Sequence, residues 1–527
     1  MNKLLLFLIL ASAFLIRVPG LHWGVPTKSG TLASYQPDEP NVFLGLANMA
    51  RNRSLDAGRE GLLSGALYFY LSAIFLGLAK AVGYVQFGSR EFLLANLWAA
   101  DRLYIAIRLF SVLTVLAAAG LLYLLVRKLY GSASGLWAAF ALAFSPIVVA
   151  VSLYTKVDGL FLLTLILMAW AFLNLLESDS PRDLMLAGAS AGLVASTRYT
   201  GGLYIALLPF ILWKKDPSRA VRNTCAACAA AFTAFAVTTP YAVLDLKLFL
   251  KTFFFQFHNF AASASVPVPP QPNGFWDYLS YFVPFSLGWP VWLVSLAGLG
   301  AAVLRGSVKE RFVAGGLALG FSFLALADAR WAYYIVLYLP FVLILFARGM
   351  KMLEENLPRW PFRVIAAGIL LYQFSYGWAF ARLYSLPNPR ELAERWLADD
   401  AREGASVGIL RSFYWTPGVL RRADSPYRVV SADEGSRQTW EAAANLGKME
   451  KADYFVTSEL ELGPFLRQPD FFAGQASAIG SFLSGYDEAA SFVLRPRLLG
   501  FSFWKRKPPD DMLFPAPTIT IYKKKAG

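Results

Sequence analysis

Charge and cysteine are both scarce in this chain: of 527 residues only 16% are charged and two are cysteine. Those two, Cys225 and Cys228, lie in the apolar stretch TCAACAAAFTAFAV. Small residues there let helices approach closely, a packing role rather than a redox or metal-binding one. Histidine is equally rare. His22 and His258 are the only two, which excludes a His-rich zinc site. There is no Walker loop, no Rossmann glycine fingerprint ahead of a helix and no GxSxG elbow, so nucleotide-driven and nucleophile-elbow chemistry have no recognisable basis. Internal repeats and low-complexity tracts are also missing.

What is abundant is apolar surface, at 57% of residues. It falls in repeated runs of roughly 18 to 22 residues separated by short charged or Pro/Gly-rich stretches, the pattern of a polytopic α-helical membrane protein. The runs lie near 3–21, 104–126, 135–153, 159–176, 184–197, 200–213, 220–240, 284–304, 312–327, 332–348 and 363–383, giving about eleven expected spans. The opening MNKLLLFLILASAFLIRVPG imitates a signal peptide, but with many spans following it reads as an uncleaved first helix. The net charge of +14 does not argue for nucleic acid, because the lysines and arginines are scattered at the ends of apolar runs.

Those cations set the expected sidedness. With the N-terminus in the cytoplasm, the basic turns RKLYG (127–131), WKKDPSR (213–219), RGSVKER (305–311) and RGMKMLEENLPRWPFR (348–363), together with ESDSPRD (177–183), fall inside. The other side then receives the loop 22–103, the corners at 156–158 and 328–331, the loop 241–283 and everything after about 384. This is the layout of a multi-pass protein of a cell (plasma or inner) membrane, and the short loops lean bacterial. In the first long loop, Val42, Phe43, Leu46, Met49 and Ala50 share one helical face, an amphipathic helix on the membrane surface. The apolar stretch 65–85 reads as re-entrant or interfacial, since a span there would invert everything downstream. A Pro-rich segment, 262–274, reads as a flap.

Composition divides the chain into a transmembrane module, 1–383, and a soluble extracytoplasmic α/β domain, 384–527. In the latter ELAERWLADDA is a helix, while ASVGILRSF, PYRVVSA, ADYFVTSEL, RLLGFSFW and TITIYKK are short strands.

A few polar residues stand out against this background. Asp38 and Glu39, fenced by Pro37 and Pro40, open the amphipathic helix; a cap explains one acid but not two. A paired carboxylate at the membrane surface is suited to act as a general base on a hydroxyl. Asp158 stands at the exported start of a span, as cap or as catalytic acid, with Lys156 two residues before it, either snorkelling or binding phosphate. Arg198 and Tyr199 join two half-length apolar runs, where an arginine reaches into a cavity more readily than into lipid. Arg330 precedes Trp331, Tyr333 and Tyr334, an aromatic belt beside a cation able to pair with a lipid phosphate.

These segments resemble the GT-C glycosyltransferases, in particular the branch of protein O-mannosyltransferases and aminoarabinose transferases that takes sugar from a polyprenyl phosphate. YQPDEPNVFLGLANMARN is similar to that branch's first exported loop, GALYFYLSAIFLGLAKAVGYVQFGSRE to its juxtamembrane segment and SLYTKVDGLFLLTLILMAWAFL to its later acidic corner. STRYTGGLYIALLPFILW and ARWAYYIVLYLPFVLILF resemble two further blocks, so the likeness covers roughly 1–350. One departure is Gly65-Ala66, where the family often has a proline pair.

The resemblance implies a GT-C-like fold and transfer of a monosaccharide from a polyprenyl-phosphate donor to a hydroxyl of a sugar, lipid or protein acceptor. It implies Asp38 as base, Glu39 as its helper and Asp158 in the same cavity. Lys156, Arg198 and Arg330 would hold the donor phosphate, and Tyr199, Tyr333 and Tyr334 would line the substrate cavity. No cofactor is required; three acids in one cavity leave room for a divalent cation. A secondary transporter or flippase is the alternative, and it would carry its acids near the midplane on broken, repeated helices.

Overall fold

A computed structural model describes residues 2–262, 273–432 and 439–526, so most of the segment read as a flap lies outside the described residues. The chain forms two compact units. One comprises residues 1–18, 41–83 and 106–381; the other comprises 19–40, 84–105 and 382–527.

The first unit is helical throughout its apolar runs. Among the described residues five helices are long and apolar enough to cross a membrane alone, and two bent pairs raise the number to seven. The remaining expected spans are helical too, but they are short or carry charged ends: Pro181–Thr197, Leu208–Lys215, Trp289–Arg305, Val308–Ala325 and Leu339–Asn356. The run expected at 135–153 is two helices, Ser132–Phe144 and Pro146–Ser152, meeting at 60°. Pro146 supplies the cause, since its ring offers no N–H to continue the ladder.

The segment 65–85 is also bent. Helix Gly58–Ser64 meets helix Leu67–Ala81 at 120°. The fifteen residues of the second helix extend only about 22 Å at 1.5 Å per residue. Between them Gly65 has φ +136, and a Cβ there would lie 2.1 Å from the carbonyl oxygen of Ser196. Only glycine fits a backbone turned this way against a neighbour this close, which accounts for the missing proline pair.

Two kinds of contact hold the helices. Arg17, fully buried at the end of the first helix, donates to Ser152 Oγ (2.8 Å) and to the carbonyls of Ala13 (2.8 Å) and Ala143 (2.7 Å). Small residues supply the second. Gly188 and Gly192 on Pro181–Thr197 face the carbonyls of Ala227 and Ala231 on Pro217–Thr238, where added Cβ atoms would stand 2.2 and 2.1 Å away. This is the four-residue glycine spacing by which membrane helices bring their backbones together. Cys225 and Cys228 are free and exposed on the second of these helices.

The second unit contains a five-stranded sheet in the order β2-β1-β3-β7-β4, with β1 Ser406–Ile409, β2 Arg428–Ser431, β3 Tyr454–Ser458, β4 Tyr486–Phe492 and β7 Ile519–Lys524. The β2-β1-β3 pairs are parallel; β7 runs antiparallel to β3 and β4. Residues 497–502 form only a small separate hairpin, β5 Arg497–Leu498 with β6 Phe501–Ser502. Apolar side chains cover both faces. Leu397, Val407 and Ile521 belong to one core, Leu446, Phe455 and Phe482 to the other. Residues 19–40 belong to this unit because their side chains bind it: Trp23 Nε1 donates to Pro515 O (2.9 Å), and Lys28 pairs with Glu391 (3.3 Å).

Glu461 is one of the buried acids of this unit. Loss of solvent raises its carboxyl from 4.5 to about 8, only partly offset by the Ser458 N–H and Thr457 hydroxyl that bind it. Between those values the unfolded chain has released a proton that the folded chain keeps, so stability falls as pH rises from about 4.5 to about 8. Glu461→Gln should flatten the fall in melting temperature across that window and raise it most at the alkaline end. Gly192→Val should cost about 1–3 kcal/mol by wedging the two helices apart, seen as a lower melting temperature in detergent.

Candidate functional site

Each unit holds part of the residue set. In the second unit the acidic pair is set by its own loop. Gln36 Oε1 accepts the backbone N–H groups of Asp38 (2.5 Å) and Glu39 (3.0 Å), and its Nε2 donates to Asp38 Oδ2 (3.3 Å). An amide oxygen thus takes two N–H groups at the start of helix Glu39–Asn52, the capping role that sequence reasoning gave to one of the acids. The two carboxylates then differ. Glu39 is fully buried and accepts the Ser34 hydroxyl, whereas Asp38 is exposed.

The loop's wall is aromatic and cationic. Tyr35 is buried, its ring edge-on to Trp23 (5.7 Å) and under the Arg390 guanidinium (4.5 Å), and its hydroxyl donates to Lys28 O (3.0 Å). Arg390 is itself buried, donating to the carbonyls of Tyr414 (2.9 Å) and Phe514 (3.3 Å). Arg421 lies over Tyr414 (5.5 Å) and donates to Thr31 Oγ1 (3.3 Å). Burial pushes the Tyr414 phenol up; the Arg421 charge opposes this and the Asp38 charge adds to it. Burial lowers Arg421. None of Gln36, Arg390, Tyr414 or Arg421 was singled out in the sequence. Gln36 had a signal, standing two residues before Asp38 inside the recognised segment.

In the first unit five of the expected residues come together. Asp158 opens helix Asp158–Leu175, fully withdrawn from solvent, and its Oδ1 pairs with Arg198 Nη1 at 2.6 Å. Arg198 has extended backbone where helix Pro181–Thr197 gives way to the 3-10 turn Tyr199–Leu207, the junction expected between two half-length runs. Its guanidinium lies 5.7 and 5.3 Å from the rings of Tyr333 and Tyr334, and the Lys156 ammonium is 4.2 Å from that of Tyr333. Two cations on adjoining aromatic faces, beside one carboxylate, leave an excess of positive charge.

Two others have partners of their own in that unit. Arg330 Nη1 pairs with Asp277 Oδ2 at 2.5 Å, a partner that sequence reasoning missed. Tyr199 points away from Arg198, packing edge-on to Phe235 and Phe249 and donating to Leu62 O (3.2 Å). Among the described residues no three His, Cys, Asp or Glu side chains are grouped so as to hold a metal ion.

The Asp158–Arg198 pair carries a prediction. Removing one member of a buried pair strands the other, at about 3–5 kcal/mol. Arg198→Ala should therefore unfold at lower temperature than the double variant Arg198→Ala/Asp158→Asn, in which no uncompensated carboxylate remains.

Comparison with known proteins bears on the fold. Residues 99–243 match the family model for dolichyl-phosphate-mannose-protein mannosyltransferase. No curated protein matches the chain. Among solved structures, that of ArnT from Cupriavidus metallidurans bound to undecaprenyl phosphate is 12% identical, with a TM-score of 0.51 over 98% of this chain and 97% of that one. The Archaeoglobus fulgidus oligosaccharyltransferase AglB, in complex with an inhibitory peptide and a dolichol-phosphate, is 13% identical, with a TM-score of 0.52 over 93% of this chain and 73% of that one.

Proposed function

We propose, taking as premise the GT-C fold that the chain shares with these glycosyltransferases, that it is a membrane glycosyltransferase. It moves a monosaccharide from a polyprenyl-phosphate donor to an acceptor hydroxyl on the extracytoplasmic side of a cell membrane. The observation that carries the reading is the division of labour in the acidic pair: Glu39 buried and bonded, Asp38 exposed beside it.

The chemistry follows from the donor. A polyprenyl phosphate departs as an anion, so it needs cations to stabilise it more than an acid to protonate it. In this reading Lys156 and Arg198 supply that charge, and Arg330 adds to it where a ligand competes with Asp277. Asp158 holds Arg198 in place. Asp38 takes the proton from the acceptor hydroxyl as its oxygen bonds to the anomeric carbon and the bond from that carbon to the phosphate oxygen breaks. A single displacement inverts the anomeric configuration. Glu39 fixes the loop from which Asp38 projects, and Tyr333 and Tyr334 present ring faces to cations and sugar. Tyr199 acts from further back, as part of an aromatic wall. The acceptor is a glycan, a lipid or a protein.

The test uses purified protein in nanodiscs with a panel of radiolabelled polyprenyl-phosphate monosaccharides. Asp38→Asn should reduce loss of label from the preferred donor by about 10²-fold or more, the contribution of a positioned base, with donor binding retained. Full turnover in this variant would remove Asp38 from the mechanism.

A further inference from the structure

A cavity of about 680 Å³ opens in the helical unit at the end of helix Asp158–Leu175 remote from Asp158. Eighteen helical residues separate the two ends by about 27 Å. Lys128, Lys214, Lys215, Lys309, Arg348 and Lys351 all line the cavity, against two carboxylates, Glu310 and Glu355. The six cations come from four helices, Leu97–Tyr130, Leu208–Lys215, Val308–Ala325 and Leu339–Asn356, which is why no single stretch of sequence displays the cluster.

Lysines and arginines at helix C-termini complement the helix dipole, and short basic loops orient membrane proteins. Neither effect requires the cations to converge on a cavity, and the local acids do not exhaust them. Glu310 is spent twice: one oxygen accepts the Ser307 N–H (2.7 Å) in a capping box, and the other accepts Arg348 Nε (2.7 Å). Glu355 stands off at 3.9 Å from Arg348 and 3.8 Å from Lys351. Glu177, outside the lining, bridges Lys128 and Lys309. What is left over is specific. Arg348 Nη1 is a buried donor with no hydrogen-bond acceptor, the nearest carboxylate, Glu355, standing off at 3.9 Å, and Lys214, exposed, lines the same cavity with no ion pair among the described residues. A buried guanidinium N–H left unsatisfied costs free energy that an anion would recover.

We propose that this cavity binds a phosphate group, with Arg348 as its directional donor and Lys214 and Lys351 as flanking charges. Phosphate chemistry suits several ammonium groups around one guanidinium better than a single carboxylate would. Beside Lys214, Phe210 and Trp213 are exposed at 75% and 62%. An apolar surface next to the cations favours a phosphate carried on a lipid, an anionic headgroup whose chains lie along those rings. The site is separate from Asp158, at the other end of the same helix, and stands independently of the transferase reading.

The experiment is native mass spectrometry of the full chain, released from detergent with phosphatidylglycerol, phosphatidylcholine or inorganic phosphate added. A parallel melting curve is taken with each addition. Phosphatidylglycerol should be retained and raise the melting temperature where phosphatidylcholine does neither. Lys214→Gln/Lys351→Gln, both accessible positions, should weaken that retention at least tenfold without lowering the melting temperature of the lipid-free protein. Arg348→Gln should abolish it. Equal retention of the two lipids, or retention unchanged in the double variant, would overturn the site. Saturation by inorganic phosphate, with no preference for the lipid, would overturn the lipid assignment and leave a soluble phosphate as the ligand.

Discussion

In the helical unit, charge has to be settled where apolar helices stop, and most of its recognisable geometry follows from that. An ion in hydrocarbon is costly unless paired or led to water. Arg17 is satisfied by two carbonyls and a hydroxyl, Asp158 at one of its two oxygens by Arg198, Arg330 by Asp277 and Arg348 in part by Glu310. Each pairing ties together elements distant in sequence. The ion pairs therefore locate helix ends relative to one another, while the glycine contacts within the bundle locate helix flanks.

Much of this architecture was legible because periodicity and length report on burial in lipid. Every apolar run recognised in the sequence is helical, including Pro181–Thr197 and Leu339–Asn356, which are too short or too charged at one end to span alone. The break at Pro146 was visible as a residue but not as a 60° bend. In the second unit the strands rich in β-branched and aromatic residues were found, and β4 was not. Its YDEAASF is poor in such residues because it lies at the sheet edge with most side chains in water, where packing does not select them. RLLGFSFW looked like a strand and is the small hairpin instead.

The site residues divide the same way. Asp158, Lys156, Arg198, Tyr333 and Tyr334 stood out as polar or aromatic groups at the margins of apolar runs, and the fold gathers them. Asp277 did not stand out, because it lies outside the apolar runs and its pairing with Arg330 spans 53 residues of sequence. Nor did sequence show that residues 19–40 join the unit built from the C-terminal part of the chain. That union rests on contacts such as Trp23 with Pro515, separated by nearly the whole chain. Composition marks where polarity changes, not which distant loop a domain will capture.

Gln36 has a further consequence for the paired acids. Successive residues at a helix start point about 100° apart around the axis, so side-by-side carboxylates diverge even though they adjoin in sequence. Once one amide oxygen has fastened both backbone N–H groups, rotating either acid toward the other's surroundings means unfastening both. Adjacency in this loop therefore makes two carboxylates that are mechanically inseparable and chemically unalike.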